Sequence, residues 1–140
     1  MYKIQFIESE SFKEILPLLQ ILYPEDGLAI LQKRLDGMQG HGYQCVGIYD
    51  EGLLIGISGL WTLNKLYIGK HIEPDNIIIH PDYQGKGIGH QLMEWLETYA
   101  KEIDCQSVEL NCYAYNEGAR RFYESLGYEP VGIHYQKKLD

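Results

Sequence analysis

The chain has 140 residues, 45% of them hydrophobic and 23% charged, with a formal net charge of −8. That balance excludes a largely disordered chain, and the acidity argues against a diffuse nucleic-acid binder, which is normally basic. No apolar run approaches the roughly 20 residues that span a bilayer, and MYKIQFIESES meets acidic residues before it reaches signal-peptide length. The expectation is one domain, 1–140, in the cytoplasm, without a nucleic-acid or membrane partner.

Tyr2 to Ile7 alternates as a first strand. Ser11 and Glu14 have capping-box spacing, and Phe12, Ile15, Leu16, Leu19 and Leu22 form a helical stripe. Pro17 lies inside that stripe and predicts a kink or a later helix start. A second helix is expected from about Asp26 to Met38, ended by Gly37, Gly40 and Gly42. Cys45 to Tyr49 and Leu53 to Leu63 read as strands joined by the hairpin turn Asp50-Glu51-Gly52. Tyr67 to Ile72 and Asn76 to His80 read as two further strand pieces, separated by Glu73-Pro74-Asp75, where proline predicts a bulge or break.

The most regular helical pattern follows, with Ile88, Leu92, Trp95, Leu96, Tyr99 and Ile103 on one face. Ser107 to Cys112 is a strand, Asn116 caps a helix running to Leu126, and Gly127 suits its C-terminal cap. Val131 to Leu139 supplies one or two closing strands. The order βααβββ–α–β–α–β predicts an α/β fold: a mixed, mostly antiparallel sheet of six to seven strands with about four helices.

Cys45, Cys105 and Cys112 form no CxxC pair and each reads as a small core residue. His41, His71, His80, His90 and His134 form no HxH or HxxxH pair, so no metal is expected. An acidic surface does tolerate cationic substrates such as amines.

Ile77-Ile78-Ile79-His80-Pro81-Asp82-Tyr83-Gln84-Gly85-Lys86-Gly87-Ile88-Gly89 places a glycine-rich loop between a strand and a helix start. Glycines let the backbone turn tightly and approach a ligand, and the first-turn amides of a helix are unpaired and partly positive. Together they make an anion site, most often for phosphate. The dinucleotide fingerprint would need glycine where His90 stands, and no Walker loop occurs. What remains, Gln84-x-x-Gly87-x-Gly89 after an apolar strand, resembles the pyrophosphate motif of the GNAT N-acetyltransferase family. The stretch from Asn111 through Asn116, Arg120, Tyr123, Gly127 and Tyr128 is similar to that family's downstream motif. Asn116 and Tyr123 lie about two helical turns apart, on one face with Arg120 between them. The tail FYESLGYEPVGIHYQKKLD and the strand GISGLWTL also look similar to small-amine members, including aminoalkylphosphonate N-acetyltransferases. The element order matches the family along the chain, whereas the first forty residues or so match loosely.

The resemblance implies the family's fold, with strands splayed at the coenzyme site, and direct transfer of acetyl from acetyl-CoA, as cosubstrate, to a small-molecule primary amine. It puts pantetheine along Ile77, Ile78 and Ile79 and the pyrophosphate on the amides of Gly85, Lys86, Gly87, Ile88, Gly89 and His90, beside Gln84. Asn116, Arg120 and Tyr123 would complete the coenzyme site, with Tyr123 as general acid to the leaving thiolate. Glu73 and Asp75 are the candidate bases, with Glu109 and Tyr113 as further options; Trp61, Tyr67, His71 and Glu73 are candidates to line the acceptor site. Alternatives are an acetyltransferase for a protein lysine or N-terminus, and a non-catalytic acyl-CoA-binding module on the same fold. Homodimers are frequent in the family, and no residue pattern marks an interface.

Overall fold

The computed structural model describes residues 2–140. The chain divides into two compact units, Met1–Glu109 and Leu110–Asp140. In the first unit the elements are β1 (Lys3–Ile7), a 3-10 helix (Ser9–Ile15), α1 (Leu16–Leu22), α2 (Leu28–Met38), β2 (Gln44–Asp50), β3 (Leu53–Lys65), β4 (Gly69–Ile79), a 3-10 turn (Pro81–Tyr83), α3 (Ile88–Glu102) and β5 (Ser107–Val108). The second unit holds α4 (Glu117–Ser125).

Strand order is β1-β2-β3-β4-β5. The first three pairings are antiparallel and β4–β5 is parallel, so the chain must cross over between those two strands, and α3 is that crossover. Successive strand residues face opposite sides of a sheet. Phe6 packs edge-on against Trp95 and Tyr99 of α3, with ring centroids 5.4 and 5.1 Å away. Its neighbour Ile7 joins the core of Phe12, Ile15, Leu18, Leu19, Leu31 and Leu35. Hence α3 covers one face, and α1 with α2 covers the other.

Pro17 falls in the first turn of α1, where its missing N–H costs nothing. The preceding residues wind as a 3-10 helix from Ser9, with Glu8 rather than Ser11 at its N-cap, so the expected capping box does not form. The hairpin turn is as expected, with Glu51 and Gly52 at φ 46° and 86°.

The sheet departs from the expected six to seven strands: among the described residues there are five. The two pieces flanking Pro74 are one continuous strand, β4. Backbone groups of Lys70 and Ile72 bond toward β5, since their carbonyls accept from the amides of Gln106 and Glu109 at 2.8 and 2.9 Å. By alternation Pro74 also faces that side, where pairing with β5 has ended, so its missing N–H takes nothing from the β3 ladder. The irregularity expected near Pro74 lies just beyond it. Gly59 pairs with Asp75 and Ile57 with Ile78, so Ser58 faces both Asn76 and Ile77. Asn76 occupies the left-handed region at φ 54°, which asparagine tolerates better than most residues. Its amide donates to the Tyr23 hydroxyl (2.6 Å) and accepts from Tyr43 (3.3 Å), pinning the bulge.

The strand expected at Ser107–Cys112 shortens to Ser107–Val108, and Val131–Leu139 forms no strand. Val131, Ile133 and Tyr135 alternate as a strand would, yet each is exposed. Alternation alone does not make a strand; the backbone needs a ladder partner. Among the described residues, no helix is long and apolar enough to cross a membrane.

Gly59 shows how closely this region is packed. A Cβ there would lie 2.5 Å from the Tyr43 hydroxyl oxygen and 2.8 Å from the Asp75 carbonyl oxygen. Gly59→Ala should therefore cost about 1–3 kcal/mol through overpacking, read as a lowered midpoint in urea unfolding at unchanged m-value. An unchanged midpoint would show that the Tyr43 ring moves aside freely.

Candidate active site

The loop after β4 is built by three features. The His80 amide donates to the Ile55 carbonyl at 2.7 Å, fixing the loop to β3. Gly85 and Gly87 both sit at φ 78°, a left-handed conformation that side-chain-bearing residues rarely adopt. Ile88 is buried and anchors the first turn of α3, while Gln84 to Gly87 and His90 stay exposed and Gly89 is half-buried. Gly87 is the N-cap and offers no side-chain cap, so the first-turn amides of α3 are directed outward with the helix's partial positive charge behind them.

Side chains around the loop mostly brace it. The Gln84 amide donates to the Ile79 carbonyl at 3.1 Å, closing the loop onto the strand it leaves. Tyr83 donates to Asp50 at 2.8 Å, tying the loop to the β2–β3 hairpin; that bond raises the Tyr83 pKa. Lys86 lies over the Tyr83 ring, its ammonium 5.1 Å from the centroid.

Upstream, Ile77, Ile78 and Ile79 are half-buried, and Ile78 packs on the core. On the β3 side Ile78 pairs with Ile57 and Ile79 with Gly56. On the other side the parallel ladder stops after His71–Ser107 and Ile72–Val108.

Glu73 and Asp75 share a face of β4 with His71, as period-two alternation requires. Their surroundings differ. Asp75 accepts from the Trp61 indole at 3.0 Å. Glu73 is partly exposed, its carboxylate 3.7 Å from Nε2 of His71, which has no solvent exposure. Parallel register sets Ser107 beside His71, so Glu109 falls beside Glu73. Glu109 accepts from Tyr67, which raises the Tyr67 pKa, and from Ser107 at 3.3 Å. The tertiary structure thus gathers Tyr67, His71, Glu73 and Glu109, while Trp61 goes with Asp75. Tyr43 and Asn76, which hold the bulge beside Asp75, were not singled out by the sequence; a turn-forming Asn after Pro-Asp was the available signal. Cys45 is buried, as expected, and desolvation pushes its thiol up to about 12; Cys105 is half-buried and Cys112 exposed, so neither is a core residue.

Within the second unit, Asn116 is the N-cap of α4, its side-chain oxygen accepting from the Ala119 amide at 3.1 Å. The Arg120 guanidinium donates to the Ala114 carbonyl at 3.1 Å, holding the turn before the helix. Tyr123 is half-buried, with ring centroids 5.2 Å from Phe122 and 5.9 Å from Tyr128. Burial pushes its phenol up to about 12, with the Cys112 thiol adding in the same direction. Gly127 ends the helix at φ 93°. Tyr113 is exposed and stacks on Tyr115.

Known proteins resemble this chain in sequence and fold. Residues 8–128 match the acetyltransferase (GNAT) family. The spermine/spermidine N(1)-acetyltransferase of Bacillus subtilis (strain 168) is 29% identical over 114 residues, 79% of this chain and 73% of that protein. The crystal structure of ribosomal-protein-alanine N-acetyltransferase from Brucella melitensis biovar Abortus 2308 superposes with a TM-score of 0.84 at 22% identity, covering 100% of both chains. AAC(6')-Iy, in complex with the bisubstrate analogue CoA-S-monomethyl-acetylneamine, superposes with a TM-score of 0.81 at 15% identity, covering 99% of both. The match across both units, together with the glycine loop opening into α3, makes this chain a member of the GNAT family and an N-acetyltransferase.

Proposed function

We propose that the chain transfers an acetyl group from acetyl-CoA directly to a primary amine of a small molecule, working as one domain. The observation that carries this reading is the pair of left-handed glycines, Gly85 and Gly87, leading into the start of α3, where no side-chain cap engages the first-turn amides. That surface offers backbone amides to a pyrophosphate without Cβ atoms in the way. The open edge of β4 at Ile77–Ile79 offers main-chain groups to the amides of pantetheine.

A neutral amine attacks the thioester carbon; a C–N bond forms, the C–S bond breaks, and the sulfur leaves as thiolate. Glu73 takes the ammonium proton. It is favoured over Asp75, whose carboxylate is engaged by Trp61. Tyr123 gives its phenolic proton to the thiolate. A small cationic acceptor fits the net charge of −8 and the paired carboxylates of Glu73 and Glu109, and a relative is named for spermine and spermidine. The test is radiolabelled acetyl transfer to polyamines, aminoglycosides, amino acids and N-terminal peptides. Acetylation of small amines is expected; transfer to peptides alone would overturn the small-molecule reading.

Gly87→Val should weaken acetyl-CoA binding by at least about tenfold in calorimetry while the protein stays folded, because no atom lies within 4 Å of the added Cβ. Left-handed backbone strain costs about 1–2 kcal/mol, so a modest fall in thermal midpoint is expected too. Unchanged affinity in the folded variant would remove the loop from the coenzyme site.

Tyr123→Phe keeps the ring and removes the proton. It should lower kcat by about 10²–10⁴-fold and change acetyl-CoA affinity by less than about tenfold. The raised pKa keeps the acid form in place as pH rises, so kcat should show no descending limb from this residue below about pH 11. Steady-state kinetics over pH reads both; near-normal kcat in the variant would return Tyr123 to packing alone.

A further inference from the structure

His71 is a fully buried side chain whose Nε2 has no hydrogen-bond partner among the described residues. Its Nδ1 lies 3.1 Å from the Gly69 carbonyl oxygen, which can only accept. Nδ1 therefore carries the hydrogen, and in the neutral ring Nε2 presents a lone pair. That lone pair faces the Glu73 carboxylate at 3.7 Å. Glu109 directly follows β5, its amide bonded to the Ile72 carbonyl, and one ligand atom from each of the three residues lies within 4.8 Å of the others. Like charges directly opposite on neighbouring strands repel, and a lone pair adds to that. The arrangement calls for a positive charge at its centre.

We propose that His71 Nε2, Glu73 and Glu109 form a binding site for a divalent transition metal, Zn²⁺ in the first place. One imidazole nitrogen and two carboxylates suit zinc, whereas Mg²⁺ and Ca²⁺ take oxygen donors. Tetrahedral zinc at its usual bond lengths sets ligand atoms about 3.4 Å apart. The His71–Glu73 separation is close to that, and a ligand atom of Glu109 lies within 4.8 Å of both. Surrounding groups orient the ligands as zinc sites require. The Gly69 carbonyl fixes the His71 tautomer, Tyr67 and Ser107 donate to the two oxygens of Glu109, and the Tyr67 ring lies 6.3 Å from the imidazole. Three protein ligands leave one position for water or an amine. The site rests on this geometry and not on the proposed reaction; with zinc bound, Glu73 would serve as a ligand rather than as the base.

The test is calorimetric titration of the metal-free full-length protein with ZnCl₂, alongside thermal unfolding and zinc K-edge absorption. One Zn²⁺ per chain, in a shell of nitrogen and oxygen without sulfur, is expected, with a thermal midpoint that rises with zinc. His71→Gln and Glu109→Gln should each weaken binding by at least about tenfold and abolish the thermal shift, and millimolar MgCl₂ should not compete. Should His71→Gln fail to fold, Glu109→Gln carries the comparison, because it replaces a half-buried carboxylate with its neutral isostere. Absence of saturable zinc binding would overturn the proposal. Sulfur in the shell, which would place the metal on a cysteine, or wild-type affinity in a folded variant would overturn it as well.

Discussion

The backbone of β4 is the constraint on which the rest of the structure depends. On one side it pairs with β3 from Gly69 to Ile79, and on the other it meets β5 for two residue pairs. Proline is accommodated at position 74 because the side it faces has already lost its ladder. The extra residue at Asn76 is accommodated because one strand, not two, must follow it.

Two kinds of glycine serve this region. Gly59 has no room for a Cβ, because the Tyr43 ring and the Asp75 carbonyl press against it. Gly85 and Gly87 have open space around them and a left-handed backbone instead. The first kind holds the sheet tightly where the bulge begins; the second supplies the left-handed backbone that turns the loop into α3. A substitution at either can reduce activity, but stability and ligand affinity will separate the two causes.

The electrostatics are local rather than global. With a net charge of −8 the protein repels anions at long range, yet the end of α3 attracts them over a few ångströms. Sheet register creates the opposite situation around His71, where two carboxylates and an imidazole lone pair converge. The two proposed sites thus have opposite local fields within one molecule.

Much of this was legible in the sequence because it is local. The loop from Gln84 to Gly89 carries its own geometry in its glycines, α3 carries its hydrophobic stripe, and Asn116 and Gly127 cap α4 as their chemistry suggests. The tertiary structure decided what depends on partners. Val131 to Tyr135 has the alternation of a strand without forming one, and Pro74, which reads as a break, sits inside a continuous strand. Neither outcome is written locally, since each depends on which neighbour the backbone meets. His71, Glu73 and Glu109 show the same limit. No spacing rule joins residues from two strands separated by a crossover helix; the parallel register of β4 and β5 brings them together. Local propensity is a property of a few consecutive residues, whereas register is a property of the whole sheet.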